Sequence, residues 1–161
     1  MKLEAGDIIC YKGRGPLNWL VRLIAKTKWT RVEMFAGPLH QNDTLWQISV
    51  SWPYMRLTKV VDLSQNLILR LKLSEDLRKS ILIHIMSQMG TPFLFRQIFV
   101  DAYNIIRYGK SNHKGQSTGV ACSELIANAI ACVTNNQIKI VEFENSCTPK
   151  DIIDSPHINI I

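Results

Sequence analysis

The sequence has no long apolar run: stretches such as Ile81-Leu82-Ile83 are only a few residues long, which excludes a transmembrane helix. Its start, Met1-Lys2-Leu3-Glu4-Ala5-Gly6-Asp7, lacks the apolar segment and small-residue cleavage site of a secretory signal. The expected location is therefore cytoplasmic, or the virion if the chain is phage-encoded. Cysteine is sparse. Cys10, Cys122, Cys132 and Cys147 are spaced by 112, 10 and 15 positions, with no C-x-x-C pair and no histidine at zinc-finger distance. That spacing argues against a structural metal site, and a chain of this length needs no disulfide framework, so free thiols acting as small buried hydrophobes are expected. There is no zinc finger, no aromatic RNP-type motif and no glycine-rich phosphate loop, so no cofactor is expected and a nucleic-acid partner is disfavoured.

Hydrophobic residues make up 47% of the chain and charged residues 20%, with a mean hydropathy of +0.02. Those figures exclude disordered, collagen-like and low-complexity classes. A chain of 161 residues buries roughly 70% of its unfolded surface without cross-links. No internal repeat, Pro/Ser linker or composition break divides it, so residues 1–161 are expected to form one domain. The net charge of +6 is unevenly spread. Residues 1–32 hold Lys2, Lys12, Arg14, Arg22, Lys26, Lys28 and Arg31 against Glu4 and Asp7, which is +5 of the total. Such a block concentrates anionic partners: cell-wall polymer, acidic lipid or nucleic acid. A basic face that is merely solvated is the plainer alternative.

Short strands are predicted for Ile8–Tyr11, Val32–Ala36, Leu45–Val50, about Met55–Val61 and Leu67–Leu73, separated by Gly, Pro, Asn and Asp turns. Leu17–Lys26 has a helical apolar period. Ser74 caps a helix with Glu75 and Asp76 in its first turn, a buried stripe at Leu77, Ile81, Ile85 and Met89, and Gly90 at its C-cap. Thr91-Pro92 opens a second helix toward Arg107, residues 109–119 form a polar loop, and Val120–Val133 is helical. Strands early and helices late, with an antiparallel sheet, make the fold class α+β.

Cys122 stands out among the residues that can carry chemistry. It follows a glycine-containing polar loop and lies in the first turn of a predicted helix. There, unpaired N–H groups and the helix dipole favour a thiolate, and the same N–H groups can bind a developing oxyanion. A structural cysteine on an amphipathic helix is the plainer reading.

Several segments bear on that choice. Gly6-Asp7-Ile8-Ile9, a helix, and then Trp29-Thr30-Arg31-Val32-Glu33-Met34-Phe35-Ala36-Gly37 resemble the first half of the permuted NlpC-type, YiiX-like branch of papain-fold hydrolases. In that branch an opening GDI strand is followed by a "SHVGIYxG"-like strand. Ser51-Trp52-Pro53-Tyr54-Met55-Arg56-Leu57 resembles the turn and strand that follow the family's third polar residue. Met89-Gly90-Thr91-Pro92-Phe93 resembles "GxPY", and Ala121-Cys122-Ser123-Glu124-Leu125-Ile126 resembles the "YCSEL(V/I)" nucleophile helix. Thr148-Pro149-Lys150-Asp151-Ile152 with Ser155-Pro156 resembles the closing "TPxDL…SP". The resemblance spans nearly the whole chain. It implies a papain-like antiparallel sheet packed on helices, with Cys122 as nucleophile and Glu124 holding the start of its helix.

At the family's histidine position stands Arg31. A guanidinium has five donors and no acceptor, so it cannot take the thiol proton or return one to a leaving group, though its charge favours a thiolate. The third polar residue falls on Leu45–Ser51, where alternation puts Gln47, Ser49 and Ser51 on one face and Trp46, Ile48 and Val50 on the other. Ser49 or Gln47 is thus its positional equivalent. Glu33 shares a face with Arg31, as a salt-bridge partner or a solvated acid. Of the other histidines, His113 in the polar loop is the one candidate replacement base; His84 is expected half-buried on its helix, and His40 and His157 at the surface.

Two functions follow. One is a thiol hydrolase of amide, ester or peptide bonds, with cell-wall peptide or acyl-lipid as substrate classes, Cys122 as nucleophile, and activity impaired by Arg31. The other is a catalytically degenerate binding or structural module, for example a bacteriophage virion or assembly component with a protein partner. A third, weaker option is a membrane-surface or nucleic-acid binder driven by the basic block.

Overall fold

In the computed structural model, which describes residues 2–13, 15, 18–19, 22, 27–38, 44–50, 53–92, 122–140 and 147–161, six strands pair into one antiparallel sheet. They are β1 (Ile8–Tyr11), β2 (Arg31–Pro38), β3 (Leu45–Val50), β4 (Met55–Lys59), β5 (Leu67–Leu71) and β6 (Ile158–Ile160), in the order β4-β3-β2-β1-β5-β6. Three helices are described: α1 (Glu75–Met86), α2 (Cys122–Val133) and α3 (Pro149–Asp154). Strands thus precede helices, as α+β patterning requires, with β6 added at the sheet edge. Among the described residues no helix is long and apolar enough to cross a membrane.

All neighbouring strands pair antiparallel, and the period of two then sorts the side chains. Ile8 and Cys10 of β1, Val32 and Met34 of β2, Ile48 and Val50 of β3, and Leu69 and Leu71 of β5 fall on one face. With Ile81 and Ile85 of α1 and Leu125, Ile126, Ala129 and Ile130 of α2 they form one hydrophobic cluster. The opposite face carries Tyr11, Arg31, Glu33, Gln47 and Ser49. A bulge between Phe35 and Gly37, with Gly37 at φ +93°, shifts the β2–β3 register beyond them.

The start of β1 is clamped by charge. Asp7 is fully buried and accepts from Arg70 Nε and Nη2, each at 2.8 Å, and from the Glu4 N–H at 2.8 Å. Glu4 in turn accepts from Arg70 Nη1 at 2.9 Å and Arg78 Nη2 at 2.6 Å. Gly6 makes this packing possible: its φ is +90°, and a Cβ there would stand 3.0 Å from both the Cβ and the carbonyl oxygen of Arg78.

α1 begins as its sequence predicts, with Ser74 Oγ accepting from the Leu77 N–H at 3.4 Å. Its buried face differs from the expected stripe. Leu77 and Met89 are exposed and Arg78 is buried instead, because its guanidinium reaches Glu4 and the Leu73 carbonyl. The helix also stops at Met86 rather than Gly90. Ser87 is its C-cap, while Gly90, at φ +89°, turns the chain so that its N–H meets the Met55 carbonyl at 3.0 Å. Thr91 bonds back to Gln88, and Pro92 bridges Tyr54. The remainder of the expected 91–107 helix, the 109–119 loop with His113, and His40 lie outside the described residues. So does most of Leu17–Lys26, of which Asn18, Trp19 and Arg22 are described and helical.

Candidate functional site

α2 starts at Cys122, which is half-buried and packs against the core beside Cys10 and Val32. The following residue secures the helix start: Ser123, buried, donates its hydroxyl to the carbonyl of Cys147. Cys147 immediately precedes the capping box of α3, in which Thr148 Oγ1 accepts from the Asp151 N–H and Asp151 Oδ2 accepts from the Thr148 N–H at 2.7 Å. The segments resembling the nucleophile helix and the closing "TPxDL" are therefore joined through one buried hydrogen bond.

The environment of the Cys122 thiol is mixed. Burial is the strongest influence and pushes it above the ordinary thiol value. Hydrogen bonding from the Val32 N–H and the nearby Arg31 charge pull it down; Glu33 pushes it up again, and the Ser123 N–H adds a smaller pull downward. The net direction is upward. The Val32 N–H belongs to the peptide that joins Arg31 to Val32, so the backbone of position 31 is close to the sulfur, while the Arg31 side chain lies on the sheet face opposite Val32 and Cys10.

Arg31 itself is committed elsewhere. Its Nη2 donates to Glu33 Oε1 and lies 3.3 Å from Ser49 Oγ, and Ser49 donates to the same Glu33 oxygen at 2.9 Å. The guanidinium also stands 5.9 Å from the centroid of the Tyr11 ring, and Tyr11 donates its hydroxyl to Gln47 Oε1. Glu33 is 1% exposed against 43% for the Arg31 side chain, so the salt-bridge reading of Glu33 holds and the solvated one fails. Arg31 and Ser49 are thus brought together, but around Glu33 rather than around the thiol. Sequence reasoning missed the weight of Glu33. The available signal was an acid between Val32 and Met34, sharing its strand face with a base two residues away and facing Ser49 across β2–β3.

Among the described residues no histidine joins this group. His84 is half-buried on α1, where its ring lies 3.1 Å from Gln88 Nε2. His157, expected at the surface, is half-buried, and its carbonyl accepts from the Lys72 N–H at 2.8 Å beside the β5–β6 pair.

Cys10 and Cys147 are buried, Cys132 is exposed, and all are free thiols. Burial raises Cys10 from 9.0 to about 12, with Cys122 adding to the shift, and it raises Tyr11 from 10.0 to about 12. A folded chain that keeps protons the unfolded chain releases is fully stabilised by these groups below the unfolded values and loses that contribution as pH rises through the folded ones. The midpoint of urea denaturation is therefore expected to fall between about pH 9 and 12. In a Cys10→Ala variant it should fall less steeply over the same interval.

Comparison with protein-family models finds no match, and no curated protein matches the chain. Among solved structures the chain is similar to the crystal structure of metalloprotein yiiX from Escherichia coli O157:H7, DUF1105. The identity is 14%, the alignment covers 98% of this chain and 96% of that one, and the TM-score is 0.56. A metal does not fit the residues described here. No three His, Cys, Asp or Glu side chains stand together among them, and Glu33, the acid whose charge acts on the Cys122 thiol, is already bound by the Arg31 guanidinium, whose charge opposes a cation. The likeness is one of architecture: the chain has a YiiX-like fold.

Proposed function

We propose that this chain is a papain-like protein of the permuted NlpC type that keeps the place of a thiol nucleophile, Cys122, and has lost the base that would drive turnover. The observation that carries the reading is the engagement of Arg31 with Glu33 and Ser49 beside a thiol that burial holds protonated. Set against the "SHVGIYxG" pattern, Arg31 stands for His and Glu33 for Gly. The substitutions form a pair: the acid neutralises a guanidinium where an imidazole would have stood.

The chemistry open to such a site is limited. When the thiol ionises, its sulfur can attack an acyl carbon; a C–S bond forms and the bond to the leaving group breaks. A leaving group stable as an anion departs without a proton, whereas an amine does not. Deacylation requires a water to give up a proton, which arginine cannot accept. The expected behaviour toward a p-nitrophenyl ester is therefore one equivalent of release followed by near-arrest, with no cleavage of peptide amides. Mass spectrometry should find the acyl group on Cys122, and Cys122→Ser should abolish the burst. Steady amide turnover by the parent chain would overturn the impaired-hydrolase reading. Absence of any burst would instead favour the degenerate binding module, with a cell-wall, lipid or assembly partner.

A further inference from the structure

The charged clamp and the basic block of the first 32 residues divide the N-terminal charge unevenly. Both acids of that block, Glu4 and Asp7, are spent on Arg70 and Arg78. Lys12, Arg22 and Lys28 are exposed, and among the described residues none of them forms a salt bridge. The two lysines flank one aromatic ring. Lys12 Nζ lies 5.2 Å and Lys28 Nζ 5.1 Å from the ring centroid of the buried Trp29. The Gly13 N–H bonds to Thr30 Oγ1 at 2.8 Å. Asn18 is packed so tightly on Gly13 that a Cβ there would stand 1.9 Å from its Oδ1. The next residue, Trp19, is 61% exposed, and Arg22 follows it one turn later, its Nε 3.4 Å from the Asn18 carbonyl. Lys12, Trp19, Arg22 and Lys28 therefore belong to one continuous surface patch.

We infer that this patch docks the protein on an anionic lipid bilayer, with Trp19 at headgroup level and Lys12, Arg22 and Lys28 against the acidic headgroups. Exposed tryptophan beside lysine and arginine suits the interface, where one ring edge is wet and the other apolar. Single-stranded nucleic acid fits less well, because it needs successive rings on which bases stack. Here one ring is exposed, and the faces of Trp29 are taken by lysines. The patch also lies close to the candidate site: Tyr11 pairs with Arg31 across β1–β2, and Lys12 is the residue after Tyr11.

The test is co-sedimentation of the full chain with phosphatidylserine-containing vesicles and with phosphatidylcholine-only vesicles, at low and high salt. Binding to the anionic vesicles alone, weakened by salt, is expected. Lys12→Gln/Arg22→Gln/Lys28→Gln should weaken it by about 100-fold, at roughly fivefold per cation removed. Trp19→Ser, a change at an exposed site, should weaken it without altering net charge. Cys122→Ser should bind like the parent, which keeps this result separate from the fate of the hydrolase reading. Equal binding to both vesicle types, binding that the triple variant retains, or binding to a single-stranded oligonucleotide with none to vesicles would overturn the inference.

Discussion

An Arg31→His variant is expected to convert a stoichiometric ester burst into turnover, with deacylation faster than in the parent by about 10²–10⁴-fold, the usual worth of a positioned general base. The Val32 N–H bonds to the sulfur, so the backbone at position 31 is close to it, and the variant tests whether an imidazole there turns to the thiol. The groups that now hold the guanidinium would serve the ring. Glu33, buried and bonded to Ser49, can accept from one ring N–H and fix the tautomer, leaving the other nitrogen to take the thiol proton. The gain should titrate near the ordinary histidine range and vanish in Arg31→His/Cys122→Ser. A variant that folds and binds the ester but shows no gain would mean that Glu33 cannot orient the ring from its present place.

The largest loss of stability is expected from Asp7→Ala. Asp7 is fully buried and takes a two-pronged contact from Arg70 together with the Glu4 N–H. Deleting it strands the Arg70 guanidinium, whose side chain is 23% exposed, and frees the start of β1 from β5 and α1. Breaking one side of such a pair costs about 3 kcal/mol at the lower end of the buried range, the appropriate end for a partly wet arginine. At this chain length that is a fall in Tm of about 6–12 °C. Asp7→Asn, which keeps shape and some hydrogen bonding, should cost less. Calorimetry on both variants checks the order, and equal stability of Asp7→Ala and the parent would contradict the clamp.

Strands β1 to β5 were readable because short alternating runs between Gly, Pro and Asn turns leave few alternatives; Leu45–Val50 coincides with β3, and the Ser74 cap is where its chemistry placed it, whereas the three-residue β6 at Ile158–Ile160 was not foreseen. The clamp was not readable. Asp7, Arg70 and Arg78 are far apart in the chain, and no local period reveals that an opening Gly-Asp-Ile is held by arginines from β5 and α1. For the same reason α1 turned its buried face toward Arg78, a residue that hydropathy assigns to solvent. At the site, alternation put Arg31 and Glu33 on one strand face and Ser49 on the matching face of the next strand, but the sequence left open whether Glu33 is paired or solvated. Whether an acid on a strand is solvated or sealed depends on what packs over it, and Glu33 is settled by tertiary burial that its neighbours in sequence do not encode.

Whether Cys122 works without a histidine at position 31 is tested most directly by the pH dependence of iodoacetamide alkylation at each cysteine, read by mass spectrometry on the native protein. Cys122 is expected to react slowly at neutral pH, its rate rising only above the ordinary thiol range, with no step at histidine-like pH. Rapid, selective alkylation of Cys122 well below pH 8 would contradict that expectation, because a thiolate at that pH requires a proton acceptor or a stronger cationic partner than Arg31 provides.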